Sequence, residues 1–135
     1  MTAIDTNILI YCCDHSDTRK QQRALEVLAS VEDGVLLWQV AAEFIAASRK
    51  LAGQGFTPAH AWARLHEFMD VLRLILPSPQ VFDYARPLHR DEGISFWDAM
   101  IIAASVDCGA HVLYSEDLPG RAAPLRIVNP FVATL

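Results

Sequence analysis

The sequence is short of basic charge. Lys and Arg number 11 against 16 Asp and Glu, a formal net charge of −5 at pH 7. That argues against nonspecific nucleic-acid binding, which needs a basic footprint. The objection weakens if several acids hold divalent cations, which reverse the local field. Cysteine is also scarce: Cys12, Cys13 and Cys108. Adjacent cysteines rarely pair and no Cys-x-x-Cys occurs, so the three read as buried or semi-buried thiols in a reducing compartment. No apolar run approaches the ~18 residues of a membrane span. The opening has no basic n-region, so no signal peptide and a cytoplasmic location are expected. Repeats, linkers and low-complexity segments are missing, as is any nucleophilic serine, cysteine or histidine motif.

What remains is a chain rich in apolar residues. Of 135 residues, 53% are hydrophobic and 20% charged. One domain over residues 1–135 is expected. A chain of this length buries about 68% of its unfolded surface and needs no staples. The apolar content also points to an apolar interface.

Short apolar runs alternate with helical patterns. Met1–Ile4 reads as β1 and Asn7–Cys12 as a short helix. Thr18–Asp33 is helical, capped by Ser16 or Asp17 and ended by Gly34, with Ala24, Leu25, Leu28 and Val31 on one side. Val35–Leu37 suits a buried strand. Gln39–Ala52 is helical through Val40, Phe44, Ala47 and Leu51. Thr57-Pro58 opens a helix to Asp70, with Ala61, Trp62, Leu65 and Met69 inward. Val71–Leu76 is a third strand. Ser78-Pro79 opens another helix, which Pro87 should kink. Ser95–Asp107 is apolar nearly all round and belongs in the interior. His111–Tyr114 and Arg126–Val128 are the last strands, separated by a loop over Ser115–Pro124, and the tail ends apolar. The alternation predicts α/β architecture: a short parallel sheet under right-handed crossovers, with helices on both faces.

Four acids stand out: Asp5, Glu43, Asp98 and Asp117. Each has an ordinary explanation. Asp5 could cap a helix. Asp98, three residues after Ser95, could belong to a capping box. Asp117 could be a solvated turn residue and Glu43 a surface glutamate. Placement argues otherwise. Glu43 lies roughly 70° from the centre of its helix's apolar stripe, at ~100° per residue. Asp98 shares a side with Ile101 and Ile102. A lone ionised carboxylate there costs several kcal/mol unless paired or metal-bound. Asp5 and Asp117 follow strands; Glu43 and Asp98 sit near helix starts. All four can reach one end of the sheet, where open parallel sheets bind ligands. Such a cluster suits one or two Mg²⁺ or Mn²⁺ ions, which would activate water against a phosphodiester.

The chain at this point resembles a PIN-domain protein, and within that family a VapC-type toxin ribonuclease of a type II toxin–antitoxin pair. The resemblance rests on Ile4-Asp5-Thr6-Asn7-Ile8-Leu9, on Trp38–Phe44 around Glu43, and on Gly93–Ala99 around Asp98. It extends through Leu113–Leu118 around Asp117 to Arg126–Phe131, and so covers essentially the whole chain. It implies a three-layer α/β/α fold with β1 central and strand order 3-2-1-4-5. It implies that Asp5 and Asp98 are primary metal ligands, that Glu43 and Asp117 complete the acidic pocket, and that Asn7 and Ser115 orient ligands. It also implies an RNA substrate, a homodimer, and an antitoxin whose tail enters the active-site groove. β1 is expected to be abbreviated, because little chain precedes Asp5.

His15, His60, His66, His89 and His111 show no ligand spacing and read as surface or satisfied core. Trp38, Trp62 and Trp97 sit among apolar neighbours and read as packing. Arg19, Lys20 and Arg23, the pair Arg49-Lys50, and Arg86 with Arg90 read as solvated faces. Two rival functions share the acids: a non-catalytic RNA- or antitoxin-binding scaffold, and a phosphomonoesterase, which lacks an Asp-x-Asp nucleophile pair.

Overall fold

In the computed structural model, residues 1–118, 121–122 and 124–132 are described. Most of the loop over Ser115–Pro124 falls within them, but its positions 119, 120 and 123 lie outside, as does the end of the apolar tail. The elements run β1 (Thr2–Ile4), α1 (Thr6–Cys13), α2 (Thr18–Ser30), β2 (Gly34–Leu37) and α3 (Trp38–Ala47). A 3₁₀ segment (Ser48–Gln54), α4 (Pro58–Val71), β3 (Arg73–Ile75), α5 (Gln80–Arg90) and α6 (Phe96–Asp107) follow. The chain then forms β4 (Val112–Tyr114), β5 (Arg121–Ala122) and β6 (Leu125–Val128).

The sheet order is β3-β2-β1-β4-β6-β5. Counting the parallel strands alone, this is the expected 3-2-1-4-5 order with β1 central. The two-residue β5 pairs antiparallel with β6 at the edge and was not foreseen. The chain steps from β1 outward to β3, then crosses back beyond β1 to β4. With right-handed crossovers that reversal sends α5 and α6 to the face opposite α1–α4. The result is the three-layer α/β/α arrangement.

Burial explains the layers. β2 is buried at every position, as a central parallel strand covered on both sides must be. Val40, Phe44 and Leu51 are buried, and Phe44 meets Phe68 edge to face, centroids 5.2 Å apart. Cys12 and Cys13 are buried and Cys108 half-buried, all free thiols.

Several boundaries differ from the sequence reading. α2 stops at Ser30, not Asp33. Gly34 begins β2 instead of ending a helix. A Cβ there would lie 2.5 Å from Leu72 Cδ2 and 2.7 Å from Val31 Cγ1, so both side chains would have to shift to admit one. The helix after Trp38 tightens to 3₁₀ at Ser48, where the Ser48 hydroxyl donates to the Ile45 carbonyl. α5 continues through Pro87 to Arg90 despite the missing donor. Thr57 and His60 form a reciprocal capping box, a use of His60 that spacing alone did not reveal.

The tryptophans are the clearest correction. Trp38, Trp62 and Trp97 are 53, 55 and 63% exposed. Apolar sequence neighbours do not mark burial here: Trp38 and Trp97 stand in the first turns of α3 and α6, and Trp62 lines surface cavities beside Ala61 and Leu65 with more than half of its surface in solvent. Leu25, grouped with Ala24 on the apolar side of its helix, is also exposed, while Val27 and Phe68 are buried in their helices.

Candidate active site

Strand register puts the first acid in place. Ile4 at the end of β1 pairs with Tyr114 at the end of β4. The next residues, Asp5 and Ser115, therefore leave the sheet side by side, and Asp5 N donates to the Tyr114 carbonyl at 2.9 Å. Asp5 caps α1 and is buried, its Oδ1 accepting from Thr6 N at 2.7 Å and its Oδ2 from the Ser115 hydroxyl at 2.7 Å. The capping explanation of Asp5 holds, and its second oxygen is held by Ser115 from the far side of the chain.

The other acids gather around it. One open cavity of about 500 Å³ is lined by Asp5, Thr6, Asn7, Glu43, Asp98 and Asp117. Glu43, on α3, is half-buried; it accepts from the Thr6 hydroxyl at 2.8 Å and from Gln39 Nε2 at 2.7 Å. Asp98, in the first turn of α6, is half-buried. Ser95 caps that helix without a side-chain bond, so no capping box occupies Asp98. Asp117 is exposed and accepts from Asn7 Nδ2 at 3.2 Å. Asn7 also reaches the Ser115 hydroxyl at 3.5 Å, and its Oδ1 accepts from Glu116 N at 3.4 Å.

Electrostatics concentrate on Asp5. Burial pushes its carboxyl up from 3.8 to about 6; the bonds from Ser115 and Thr6 pull it down, and the charges of Glu43 and Asp98 push it up further. A cation placed beside such a group would favour its charged form. All four acids offer hard oxygen donors, which suit Mg²⁺ or Mn²⁺. Among the described residues, no three His, Cys, Asp or Glu side chains form a ready-made metal cluster. The donor chemistry fits a divalent cation, with the acids sharing a cavity instead of a closed cage.

The PIN domain family model matches residues 2–118. The chain belongs to the PIN domain family. Its fold is similar to that of a chain in a toxin–antitoxin complex from Klebsiella pneumoniae, with TM-score 0.71 and 19% identity over 96% of this chain and 98% of that one. It is similar to VapBC2 from Rickettsia felis bound to a DNA fragment from its promoter, with TM-score 0.69 and 20% identity over 95% and 97%. It is also similar to VapC20 of Mycobacterium tuberculosis, a sarcin–ricin loop cleaving toxin, with TM-score 0.67 and 19% identity over 84% and 87%. No curated protein sequence matches the chain significantly.

This PIN domain uses more residues around its acids than the sequence revealed. Thr6 and Gln39 hold Glu43, and Gln39 also donates to the Trp97 carbonyl at 3.0 Å, tying α3 to the start of α6. Glu116 accepts from Tyr11 at 2.7 Å and from Lys20 at 2.5 Å, anchoring the loop that carries Ser115 and Asp117. Lys20 is therefore not a free member of a solvated basic face. Gln39 stands four residues before Glu43, a helical spacing that could have been read. Nothing in the sequence pairs Lys20 with Glu116.

Proposed function

We propose that this PIN domain is a Mg²⁺-dependent endoribonuclease, the toxin of a toxin–antitoxin pair. The observation that carries the reading is one cavity at the C-terminal end of the central strand lined by Asp5, Glu43, Asp98 and Asp117. The family and the fold likeness to toxin–antitoxin chains, one of them a cleaver of RNA, support it. No helix among the described residues is long and apolar enough to cross a membrane.

In this reading Asp5 and Asp98 hold the cation, with Glu43 and Asp117 completing the acidic wall. A bound Mg²⁺ supplies a Lewis acid that acidifies water and offsets phosphate charge. The chain's own groups do the rest. Ser115 and the Thr6 amide fix the two Asp5 oxygens in direction. Thr6 and Gln39 fix Glu43. Asn7 holds Asp117 toward the cavity. Groups locked by hydrogen bonds need little reorganisation when charge develops on the phosphate. A cognate antitoxin, a homodimer, a cytoplasmic location and a single domain over residues 1–135 belong to the same proposal.

The test is cleavage of RNA by purified protein with Mg²⁺ or Mn²⁺. Asp5→Asn and Asp98→Asn are expected to keep the fold and abolish cleavage. Full activity in Asp98→Asn would sink the mechanism. A parent protein that binds RNA or an antitoxin but never cleaves would instead be a scaffold.

A further inference from the structure

The adjacent basic residues Arg49 and Lys50 have different surroundings. They lie in the 3₁₀ segment, where successive side chains diverge by about 120°. Arg49 lines an apolar cavity with Phe56, Ala61 and Trp62. Lys50 lines the acidic cavity with Asp5, Glu43, Asp98 and Asp117, and among the described residues no other Lys or Arg lines it. Lys50 is exposed and, among the described residues, forms no salt bridge and no side-chain hydrogen bond with these acids. Its charge is at the site without being consumed by it.

The segment that carries it is pinned at both ends. Ser48 and Leu51 are buried. Gln54 Nε2 donates to Asp14 Oδ1 at 2.8 Å, and Gln54 Oε1 accepts from His15 N at 2.8 Å. These bonds clamp the end of the segment to the turn after α1. A flexible four-carbon stem on a fixed base lets an ammonium follow a ligand while staying in the site.

From this geometry we infer that Lys50 binds a backbone phosphate of the RNA substrate as it passes the acidic cavity. The inference rests on the ribonuclease reading above. A site with four carboxylates repels a polyanion on approach. A cation bound among the acids neutralises one phosphate position, whereas the neighbouring nucleotide's phosphate needs a charge of its own. Lys50 is the group in place to meet it. The contact is to the backbone, so it carries no base preference.

The experiment measures RNA affinity against salt for Asp98→Asn, which is expected not to cleave, at fixed Mg²⁺. Adding Lys50→Gln is expected to weaken binding of several single-stranded RNAs alike and to lower the slope of log K on log salt by about 0.7. Lys50→Arg should retain the slope, and so should Arg49→Gln, which lines the other cavity. Equal slopes for Lys50→Gln and its parent, with RNA cleavage intact in the Lys50→Gln single variant, would overturn the inference and leave the ribonuclease reading standing. Failure of the unsubstituted protein to cleave RNA and of Asp98→Asn to bind it would overturn both.

Discussion

The Ser115 hydroxyl donates to Asp5 Oδ2 at 2.7 Å across a sequence separation of 110. The same oxygen accepts from the amides of Asp117 and Leu118 at 3.3 and 3.4 Å. One hydroxyl therefore holds the ionised form of Asp5 and shapes the loop bearing Asp117. Ser115→Ala is expected to push the Asp5 carboxyl still higher, because the bond it removes is one that lowers it. The acid limb of the pH–rate profile for RNA cleavage should move to higher pH, and unfolding should become easier by about 1–3 kcal/mol. An acid limb that stays put would show that Asp5 does not set it.

Asp5 also gives the cation-free protein a pH-dependent stability. Its folded-state value is about 6 against an ordinary 3.8 for an aspartate, so the folded state binds the proton more tightly. Stability from this group is full below pH ~4 and is lost as pH rises through about 6, a change of about 3 kcal/mol. Asp5→Asn removes that dependence. In EDTA, the variant should therefore gain on its parent between pH 4 and pH 7 in urea unfolding and be the more stable of the two at pH 7. A gap that stays constant over this range would count against the argument.

Divalent cations should reverse that penalty. Saturating the acidic cavity stabilises the native state by RT ln(1 + [L]/Kd), about 2.7 kcal/mol at a hundred times Kd. Thermal melting with Mn²⁺ should rise in the parent and rise less in Glu43→Gln and Asp98→Asn. Equal rises in all three would mean that the ion binds elsewhere.

Packing makes a separate prediction. Phe44 is fully buried against Phe68, whereas Trp62 is 55% exposed. Phe44→Ala should destabilise by about 3–5 kcal/mol. Trp62→Ala should cost about 1 kcal/mol or less, as for a surface residue. Chemical denaturation of both variants tests the contrast.

The strand–helix alternation was legible because buried parallel strands and helix caps leave local marks, such as Val35–Leu37 and Thr57-Pro58. The four acids were legible because Glu43 and Asp98 stand beside apolar faces where an unpaired charge is costly. Two kinds of feature were not. Trp62 follows buried Ala61 in a helix, and one residue of rotation carries it from core to surface, a distinction that hydrophobicity does not mark. The partnership of Lys20 with Glu116 and the parting of Arg49 from Lys50 depend on the tertiary approach of distant segments and on a local change of helix type. No periodicity encodes either.

The central position of β1 has a consequence during synthesis. β1 leaves the ribosome ahead of the other strands of the sheet, yet one of its two edges waits for β4 at Val112–Tyr114. At ~5–20 residues per second, that wait lasts roughly 5–25 s. Until then Asp5 has neither the Ser115 hydroxyl nor the Tyr114 carbonyl beside it, and Asp117 has not been made. A growing chain, or one cut short before β4, therefore carries only part of the acidic cavity. If that cavity degrades RNA, the ribosome making it would be shielded from its product until β4 and Asp117 have been added.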